Sequence, residues 1–485
     1  MRDSPNIAVV VMDTARDSDV ISSTAPTISE LGEAGTRFSR AFSAAPWTLP
    51  SHGSMFTGCY PSKHGAYSGH EHLDGALPTL PELLGDAGYE TFGVTNNTWI
   101  TDEFGFGRGF EQLRKAWQLL PGDGNMLWEM VQVQDEENSQ GLLERALSGN
   151  PIRNAVNAAY ARFAYARRDS GADRTTDLID DWLGGRNDDR PFFLFANCIE
   201  PHLEYEPARE YAETFLPDDV DYADATALEQ DPWEYLVGNV NHSSEEFDVL
   251  RALYRAEIAS LDDQVAELRD ALVDAGEWED TILVVVGDHG ENIGDHGMMD
   301  HQYCLYDTLL HVPLVIHGPG FEDGGEVDDL TSLVDLAPTL LDAAGVDAPD
   351  AREEFQGHSV HPDADAESRE ELYAEYMKPQ PTMAALERQV GELPEYVYRF
   401  DRSLRAVRTK EYKFIRGSDG TRELYHVAED SAERSSLENE RPEVATELEE
   451  RLDEWLDSFE RAETSEGVDI SGAQREQLEE LGYLQ

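Results

Sequence analysis

Three features of the sequence predict an α/β fold: a large mixed, mostly parallel sheet flanked by helices, plus a small C-terminal α+β subdomain with an antiparallel sheet. The first is a set of continuous apolar, β-branched runs at Asn6–Met12, 191–199 and Thr281–Gly287. Such runs mark strands buried on both faces, as in parallel sheets. The second is the helical stretches that lie between those runs. The third is a change of pattern after a boundary rich in Asp, Ala, Pro and Gly near 345–370, beyond which short strands and one charged amphipathic helix follow. The expected division is a main domain over 1–365 and a C-terminal subdomain over 366–485.

Composition bounds the function. The 485 residues suffice for one large domain and a smaller one, and 40% apolar content with 18 Phe, 19 Tyr and 8 Trp supplies a core. Acidic residues number 99 against 37 basic, a net charge of −62, and only Lys63, Lys115, Lys378, Lys410 and Lys413 are lysines. The acids are spread through every segment, a pattern suited to molar salt, where a short Debye length screens self-repulsion. A halophilic protein is therefore expected. No basic stripe exists to neutralise phosphates, which argues against nucleic acid as a partner. Cys59, Cys198 and Cys304 are odd in number and lack a CxxC spacing, which fits a reducing compartment. No signal-peptide pattern follows Met1, and no apolar run reaches about 18 residues. The expectation is a cytoplasmic protein with no membrane span.

Taken in order, the strand Asn6–Met12 ends at Asp13-Thr14. A carboxylate at the carboxyl end of a parallel strand is either a ligand or a turn residue. Pro26–Ala34 is a predicted helix closed by Gly35. In the stretch 45–61, Pro46 and Pro50 bracket Thr48, and 51–57 forms a short helix stopped by Gly58 and Pro61. Thr48 is either an N-terminal cap or a hydroxyl presented at a helix mouth, where anions bind. A helix over 78–87 and a strand at Glu90–Thr95 ending in Asn96-Asn97 follow. Residues 111–190, with Trp117, Trp128, Trp182, Arg162, Arg167 and Arg168, are read as a helical insertion. The strand at 191–199 ends in Glu200-Pro201-His202. A long acidic helix covers about 245–275, and Thr281–Gly287 runs into Asp288-His289-Gly290-Glu291. A strand at 312–317 and a helix at 335–344 complete the main domain. Short strands at 403–408, 412–415 and 423–425 and a helix over 442–461 make the subdomain.

Three strand ends thus carry oxygen or imidazole groups: Asp13; Glu200 with His202; Asp288 with His289. His296 and His301 follow in a Gly-rich loop. Such groups on one sheet edge suggest a site for a divalent metal ion. Thr48 lies in a loop facing the same edge. A hydroxyl is a weak nucleophile until a cation lowers its pKa, and imidazoles can bind an anion or protonate a leaving group.

With these residues in place, nearly the whole chain resembles the sulfatase family of the alkaline phosphatase superfamily. The stretch from Asn6 to Arg16 looks like the first motif and Thr48-Leu49-Pro50-Ser51-His52 through Thr57-Gly58 and Tyr60-Pro61 like the nucleophile motif. The stretch 191–202 is similar to the strand delivering a substrate-binding His, 282–296 to the second metal motif, 306–320 to the next strand, and 405–437 to the C-terminal subdomain. The resemblance implies that Asp13, Asp288, His289 and Thr48 hold one divalent cation (Ca²⁺, Mn²⁺, Zn²⁺ or Mg²⁺). It also implies that Thr48 is the nucleophile and that His202 and His301 contact the anionic group or its leaving oxygen, with His52 a further catalytic candidate. A two-metal site would need further ligands, for which His202, His296 and His301 stand nearby.

Departures from the family pattern bear on the chemistry. The usual nucleophile is a Cys converted to formylglycine within Cys-x-Pro-x-Arg. Here Thr48 and His52 occupy those two positions, so formylglycine is not expected. The paired acidic motif is reduced to Asp13-Thr14, and Val94-Thr95-Asn96-Asn97 replaces a Lys-containing motif. A sulfated Thr lacks the elimination route that formylglycine provides, whereas a phosphorylated Thr can be hydrolysed at phosphorus. The expected function is metal-dependent hydrolysis of sulfate or phosphate esters through Thr48. The alternatives are a transferase passing the group to a glycan or lipid hydroxyl, and a non-catalytic binding protein.

Overall fold

Strand β1 (Asn6–Met12) is buried along all seven residues and sits at the centre of the main sheet. Its apolar run has no polar face because both faces are covered: Ile7, Val9 and Val11 join one core cluster, and Ala8, Val10 and Met12 the other. Each fully buried Val or Ile contributes roughly 1.5–3 kcal/mol, so such a strand is fixed by packing on both sides. The computed structural model describes residues 4–118, 171–186, 189–322, 324–364 and 368–462.

The other strands of the main sheet are β2 (Thr36–Phe38), β3 (Glu90–Thr95), β4 (Gln112–Lys115), β5 (Phe192–Cys198), β6 (Thr281–Gly287), β7 (Leu314–His317) and β8 (Gly325–Val327). Their spatial order is β8-β2-β7-β6-β1-β5-β3-β4. Pairing is parallel from β6 through β1, β5 and β3 to β4, while β7 runs antiparallel to β6 and β2. The sheet is therefore mixed and mostly parallel, as expected. On one face lie helices α2 (Thr48–Thr57) and α6 (Leu336–Ala343), whose Leu49, Met55, Phe56 and Leu340 enter the first core. Helices α1 (Pro26–Ala34) and α5 (Ser244–Asp274) cover the other face. The capping box between Ser243 and Glu246 opens α5, and Thr79 with Glu82 opens α3 (Leu80–Asp86) in the same way.

A second, four-stranded antiparallel sheet, β9 (Glu371–Tyr376), β10 (Leu404–Thr409), β11 (Lys413–Gly417) and β12 (Arg422–Tyr425), follows in simple order. Helix α7 (Pro442–Asp457) lays Leu448 and Leu452 into a third cluster with Val407, Phe414 and Leu424. The Trp455 ring stacks on Tyr373 at 4.1 Å.

Two expectations change. The predicted insertion at 111–190 does not begin as helix: Gln112–Lys115 is the edge strand β4, paired with β3. Four residues, Gln-Leu-Arg-Lys, with no apolar alternation carry little strand signal. The helix α4 (Gly171–Gly185) closes that segment, and Trp182 stacks on Phe92 at 4.5 Å as part of the core. Trp128, Arg162, Arg167 and Arg168 lie outside the described residues. Strands β2, β8 and β9, not anticipated from sequence, extend the two sheets. Among the described residues, no helix is long and apolar enough to cross a membrane.

Helix α5 carries one buried acid against another. Glu257 accepts from the Glu206 backbone N–H at 2.9 Å, and burial, with the nearby Glu200 carboxylate, pushes its carboxyl up to about 8. The folded state then keeps a proton that the unfolded chain releases above its ordinary value of 4.5. Stability contributed by that proton is complete below about 4.5 and falls as pH rises towards about 8, by up to roughly 1.4 kcal/mol per pH unit. Glu257→Gln keeps the acceptor and removes the ionisation. Denaturant midpoints measured from about pH 5 to about pH 8 should decline less steeply in Glu257→Gln than in the wild type; parallel curves would refute the assignment.

Candidate active site

The register of the sheet brings the site together. Met12 pairs with Gly287 on one side and Cys198 on the other, and Thr95 pairs with Asn197, so four parallel strands end level. The residues that follow them, Asp13, Asn97 and Asp288-His289, meet at the carboxyl edge. Asp13, Asp288 and His289 are 0% exposed, and their candidate ligand atoms lie within 4.8 Å of one another.

Each of the two carboxylates has one oxygen engaged and one without a hydrogen-bond partner. Asp288 Oδ1 accepts the backbone N–H of Thr14 at 3.2 Å and of His289 at 2.9 Å, while Oδ2 has no hydrogen-bond partner. Asp13 Oδ2 accepts from Asn97 Nδ2 at 2.7 Å, while Oδ1 has none. His289 Nδ1 donates to the Gly290 carbonyl at 3.0 Å, which leaves the Nε2 lone pair facing Asp13 Oδ1 at 3.6 Å and Asp288 Oδ2 at 3.4 Å. Two oxygens and one nitrogen therefore converge. Burial raises Asp13, and burial with the apposed Asp13 charge raises Asp288 well above the ordinary carboxylate range. Burial likewise holds His289 well below its usual value, so it is a neutral imidazole. This set fits a divalent cation, which would relieve the repulsion between the carboxylates.

Thr48 completes the group. It occupies the first turn of α2, but Trp47 is the N-cap and no side chain caps the helix. The Thr48 hydroxyl instead lies 3.3 Å from His289 Nε2 and accepts from Asn97 Nδ2 at 3.4 Å. Ser51, one turn on, donates to the Asp288 carbonyl at 2.7 Å and ties α2 to the end of β6. Gly58, at φ +65°, ends the helix in a conformation that suits glycine, and a Cβ there would meet the Phe355 ring at 2.8 Å.

A second group lies beside the first. Glu291, Asp300 and His301 are buried, with donor atoms within 4.8 Å of one another. His301 Nδ1 pairs with Asp300 Oδ1 and stands 3.7 Å from Glu291 Oε1. Burial alone would lower His301, but the Asp300 and Glu291 carboxylates reverse this and raise it well above its usual value. The His301 ring centroid is 4.6 Å from that of His289 and 5.1 Å from that of His202, which is half-buried.

Of the residues singled out from sequence, Asp13, Thr48, Asp288 and His289 form one group, and His301 and His202 adjoin it. His52 adjoins the group from the α2 side, its Nδ1 3.5 Å from Asp288 Oδ2. It is 0% exposed, its Nδ1 donates to the Thr48 carbonyl at 2.9 Å, and its ring packs among Phe56, Phe106 and Phe195. Burial lowers it to about 4, so it is neutral and positions the α2 backbone rather than donating a proton. His296 is exposed and stacks on Tyr306 at 3.8 Å, apart from the His301 group. Asn97, Glu291 and Asp300 were not singled out. Asn97 stands where the family's Lys-containing motif is replaced, and that substitution was its signal. Glu291 follows the Asp288-His289-Gly290 motif directly, yet it is one acid among many in this chain.

Comparison with known proteins bears on the family of the chain. The family profile described as Sulfatase matches residues 5–346, and the profile for the N-sulphoglucosamine sulphohydrolase C-terminal region matches 294–458. Arylsulfatase K of Bos taurus is 23% identical over 482 residues, spanning 93% of this chain and 81% of its own. A choline-sulfatase of Rhizobium meliloti (strain 1021) is 25% identical over 382 residues, 74% of this chain and 71% of its own. The crystal structure of the phosphonate monoester hydrolase of Agrobacterium radiobacter superposes with a TM-score of 0.67 at 20% identity, covering 94% of this chain and 96% of that one.

Asn97 holds both Asp13 and the Thr48 hydroxyl, so its loss should loosen a ligand without opening the core. Asn97→Ala is expected to weaken Mn²⁺ binding by about 10- to 100-fold with little change in thermal midpoint. Calorimetric titration of the chelator-stripped protein measures this, and an unchanged affinity would remove Asn97 from the site.

Proposed function

Because this chain belongs to the sulfatase family and is a sulfatase-like ester hydrolase, we propose that it cleaves phosphate or phosphonate esters by attack of Thr48, with no formylglycine, at a site requiring a divalent cation. The observation that carries this reading is the Thr48 hydroxyl, 3.3 Å from His289 Nε2, at the point where the free oxygens of Asp13 and Asp288 converge.

Asp13 Oδ1, Asp288 Oδ2, His289 Nε2 and Thr48 Oγ1 would hold the cation. Bound there, a divalent ion lowers the pKa of the hydroxyl and offsets charge on the transferring group. Thr48 Oγ1, its proton lost to solvent, attacks phosphorus. The Oγ1–P bond forms as the bond from phosphorus to the ester oxygen breaks. The half-buried His202 gives a proton to the departing oxygen. A water then attacks the phosphothreonine, returning a proton to His202, and the Oγ1–P bond breaks to free the phosphate or phosphonate, with Oγ1 taking back a proton from solvent to restore Thr48. His301, its ring 4.6 Å from that of His289, stands beside the substrate anion.

The preference for phosphorus follows from Thr48. A threonine sulfate ester can be cleared only by attack at sulfur or carbon, whereas a threonine phosphoester is open to water at phosphorus. The names of the choline-sulfatase and arylsulfatase K relatives support sulfate esters as the competing substrate class, and that of the phosphonate monoester hydrolase supports the class proposed. The dispersed acidic surface supports a high-salt setting, and three buried free thiols, Cys59, Cys198 and Cys304, suit a reducing compartment such as the cytoplasm.

The test is a comparison of p-nitrophenyl sulfate, p-nitrophenyl phosphate, bis-p-nitrophenyl phosphate and p-nitrophenyl phenylphosphonate with Mn²⁺, Zn²⁺, Ca²⁺ and Mg²⁺. A phosphorus ester should turn over fastest, and Thr48→Ala should lower kcat at least about a thousandfold. Intact mass should show residue 48 as threonine. Full activity in Thr48→Ala, or faster sulfate turnover, would overturn the reading. Raising KCl from about 0.2 M to about 2 M should raise the thermal midpoint by screening the acidic surface; a flat or falling response would count against adaptation to salt.

A further inference from the structure

We propose that Trp233 is a specificity-determining residue, set against the alcohol portion of the substrate and selecting esters whose alcohol is an aryl ring. The proposal rests on the hydrolase reading above and names the class of leaving group. The observation that carries it is the way the segment 230–236 is fastened. At one end the Gln230 side chain exchanges two hydrogen bonds with the backbone of Tyr205. Its Oε1 accepts the Tyr205 N–H at 2.8 Å, and its Nε2 donates to the Tyr205 carbonyl at 3.2 Å. Tyr205 lies just beyond His202 in the chain. At the other end the Trp233 ring meets the Tyr303 ring at 6.1 Å, edge to face, and Tyr303 lies just beyond His301. The helix Pro232–Leu236 also packs against Met299–Asp300, the strand that leads into His301. The segment therefore bridges the two loops that carry His202 and His301, whose rings are 5.1 Å apart.

Trp233 is held in place before any ligand arrives. The Asp231 side chain caps its helix, accepting the backbone N–H of Trp233 at 2.8 Å and of Glu234 at 3.1 Å, and Pro232 opens the first turn. Behind the indole, Tyr303 is 3% exposed, donates to the Pro381 carbonyl at 2.8 Å and stacks on Phe400 at 5.4 Å. Tyr303 holds φ +65°, uncommon for a bulky residue, so its place is imposed by these contacts. Trp233 itself is only half-buried, which leaves part of its surface open. A side chain fixed in this way gives up little freedom when a ring settles on it.

Because His202 protonates the departing oxygen, the alcohol lies on the His202 side, next to this bridge. An aryl ring there extends the run of aromatic contacts from Phe400 through Tyr303 to Trp233, and ring pairs gain more than their buried area alone. A short alkyl group buries only a few carbons and makes no ring pair. The competing role for Trp233 is a wedge that seats its helix on Met383–Val390. A wedge would affect all esters alike, whereas a wall of the leaving-group subsite discriminates between them.

The experiment compares phenyl phosphate with ethyl phosphate on the full chain in Mn²⁺, with thermal midpoints as the check on folding. Each variant is compared with the wild type on the same ester, which cancels the intrinsic difference between the two leaving groups. Trp233→Ala should lower kcat/KM for phenyl phosphate about tenfold, mostly through KM, and for ethyl phosphate less than about twofold. Trp233→Phe should recover most of the loss, and Trp233→Leu gives the same contrast should Trp233→Ala misfold. A second readout needs no turnover. Benzylphosphonate and propylphosphonate, with carbon in place of the ester oxygen, are titrated by calorimetry. The wild type should bind the benzyl compound about tenfold more tightly, and Trp233→Ala should erase the gap. Equal losses on both esters, no loss on either, or no benzyl preference in the wild type overturns the proposal. A Trp233-dependent benzyl preference without turnover of any ester would leave the subsite standing and remove the hydrolase reading. Thr48-dependent turnover that Trp233→Ala lowers equally for both esters would do the reverse.

Discussion

Two carboxylates, Asp13 and Asp288, face each other fully buried with only half their oxygens hydrogen-bonded to the protein, and much of the architecture serves to hold them there. Free in solution such groups would separate or take up a proton. Here the parallel pairing of β1 with β6 leaves them no room, because Met12 and Gly287 are register partners and each strand is buried throughout. Thr14, at φ +67°, turns its N–H onto Asp288 Oδ1, an uncommon backbone state for a β-branched residue that the surrounding structure must enforce. The close approach of the two carboxylates is thus built in during folding, and it suits the pair to hold a cation.

The C-terminal sheet extends the same logic to the loop that carries Asp300 and His301. Lys413, fully buried, bridges Asp307 and Glu433 at 2.8 Å each, and Arg408 reaches Asp307 at 3.0 Å. Tyr306 donates to Glu423 at 2.9 Å, and Tyr303 to the Pro381 carbonyl at 2.8 Å. The chain from Asp300 to Asp307 is therefore gripped by residues of the subdomain. Buried ion pairs are weak evidence for net stability, yet removing one partner typically costs about 3–5 kcal/mol. Their effect here is registry: Lys413 satisfies two carboxylates only when the small sheet sits at one position on the main domain. The subdomain thereby fixes the position of His301 without entering the pocket.

Legibility in the sequence followed local signal. The runs Asn6–Met12 and Thr281–Gly287 are apolar on both faces, so strand, burial and parallel pairing could be read together, and Asp13, Asp288 and His289 stood out by position. Asn97 was hidden because its role depends on β3 lying beside β5, a long-range pairing that its own neighbours do not encode. Glu291 and Asp300 were hidden by composition, since acids are everywhere in this chain. His301 was singled out through the family resemblance, whereas the withdrawal of His296 onto Tyr306 is something no spacing rule contains. Strand β4 was missed because an edge strand of four mixed residues is specified by its partner and not by its own pattern.

The stretch around Thr48 shows how one packing decision sets the chemistry. Trp47 caps α2 with its backbone alone, and Pro50 has no N–H to satisfy, so the hydroxyl of Thr48 is not consumed as a cap. His52 holds the Thr48 carbonyl from within the helix and fills a box of three phenylalanine rings at 5.9 to 6.5 Å. That box admits a neutral imidazole, whereas an arginine there would bury an always-charged guanidinium with Asp288 Oδ2, 3.5 Å from His52 Nδ1, as its nearest carboxylate atom. Such a pairing would draw on the very oxygen that converges with Asp13 and His289. A neutral residue at 52 thus leaves Asp288 Oδ2 to face His289 Nε2, with Asp13 Oδ1 also within reach of that nitrogen.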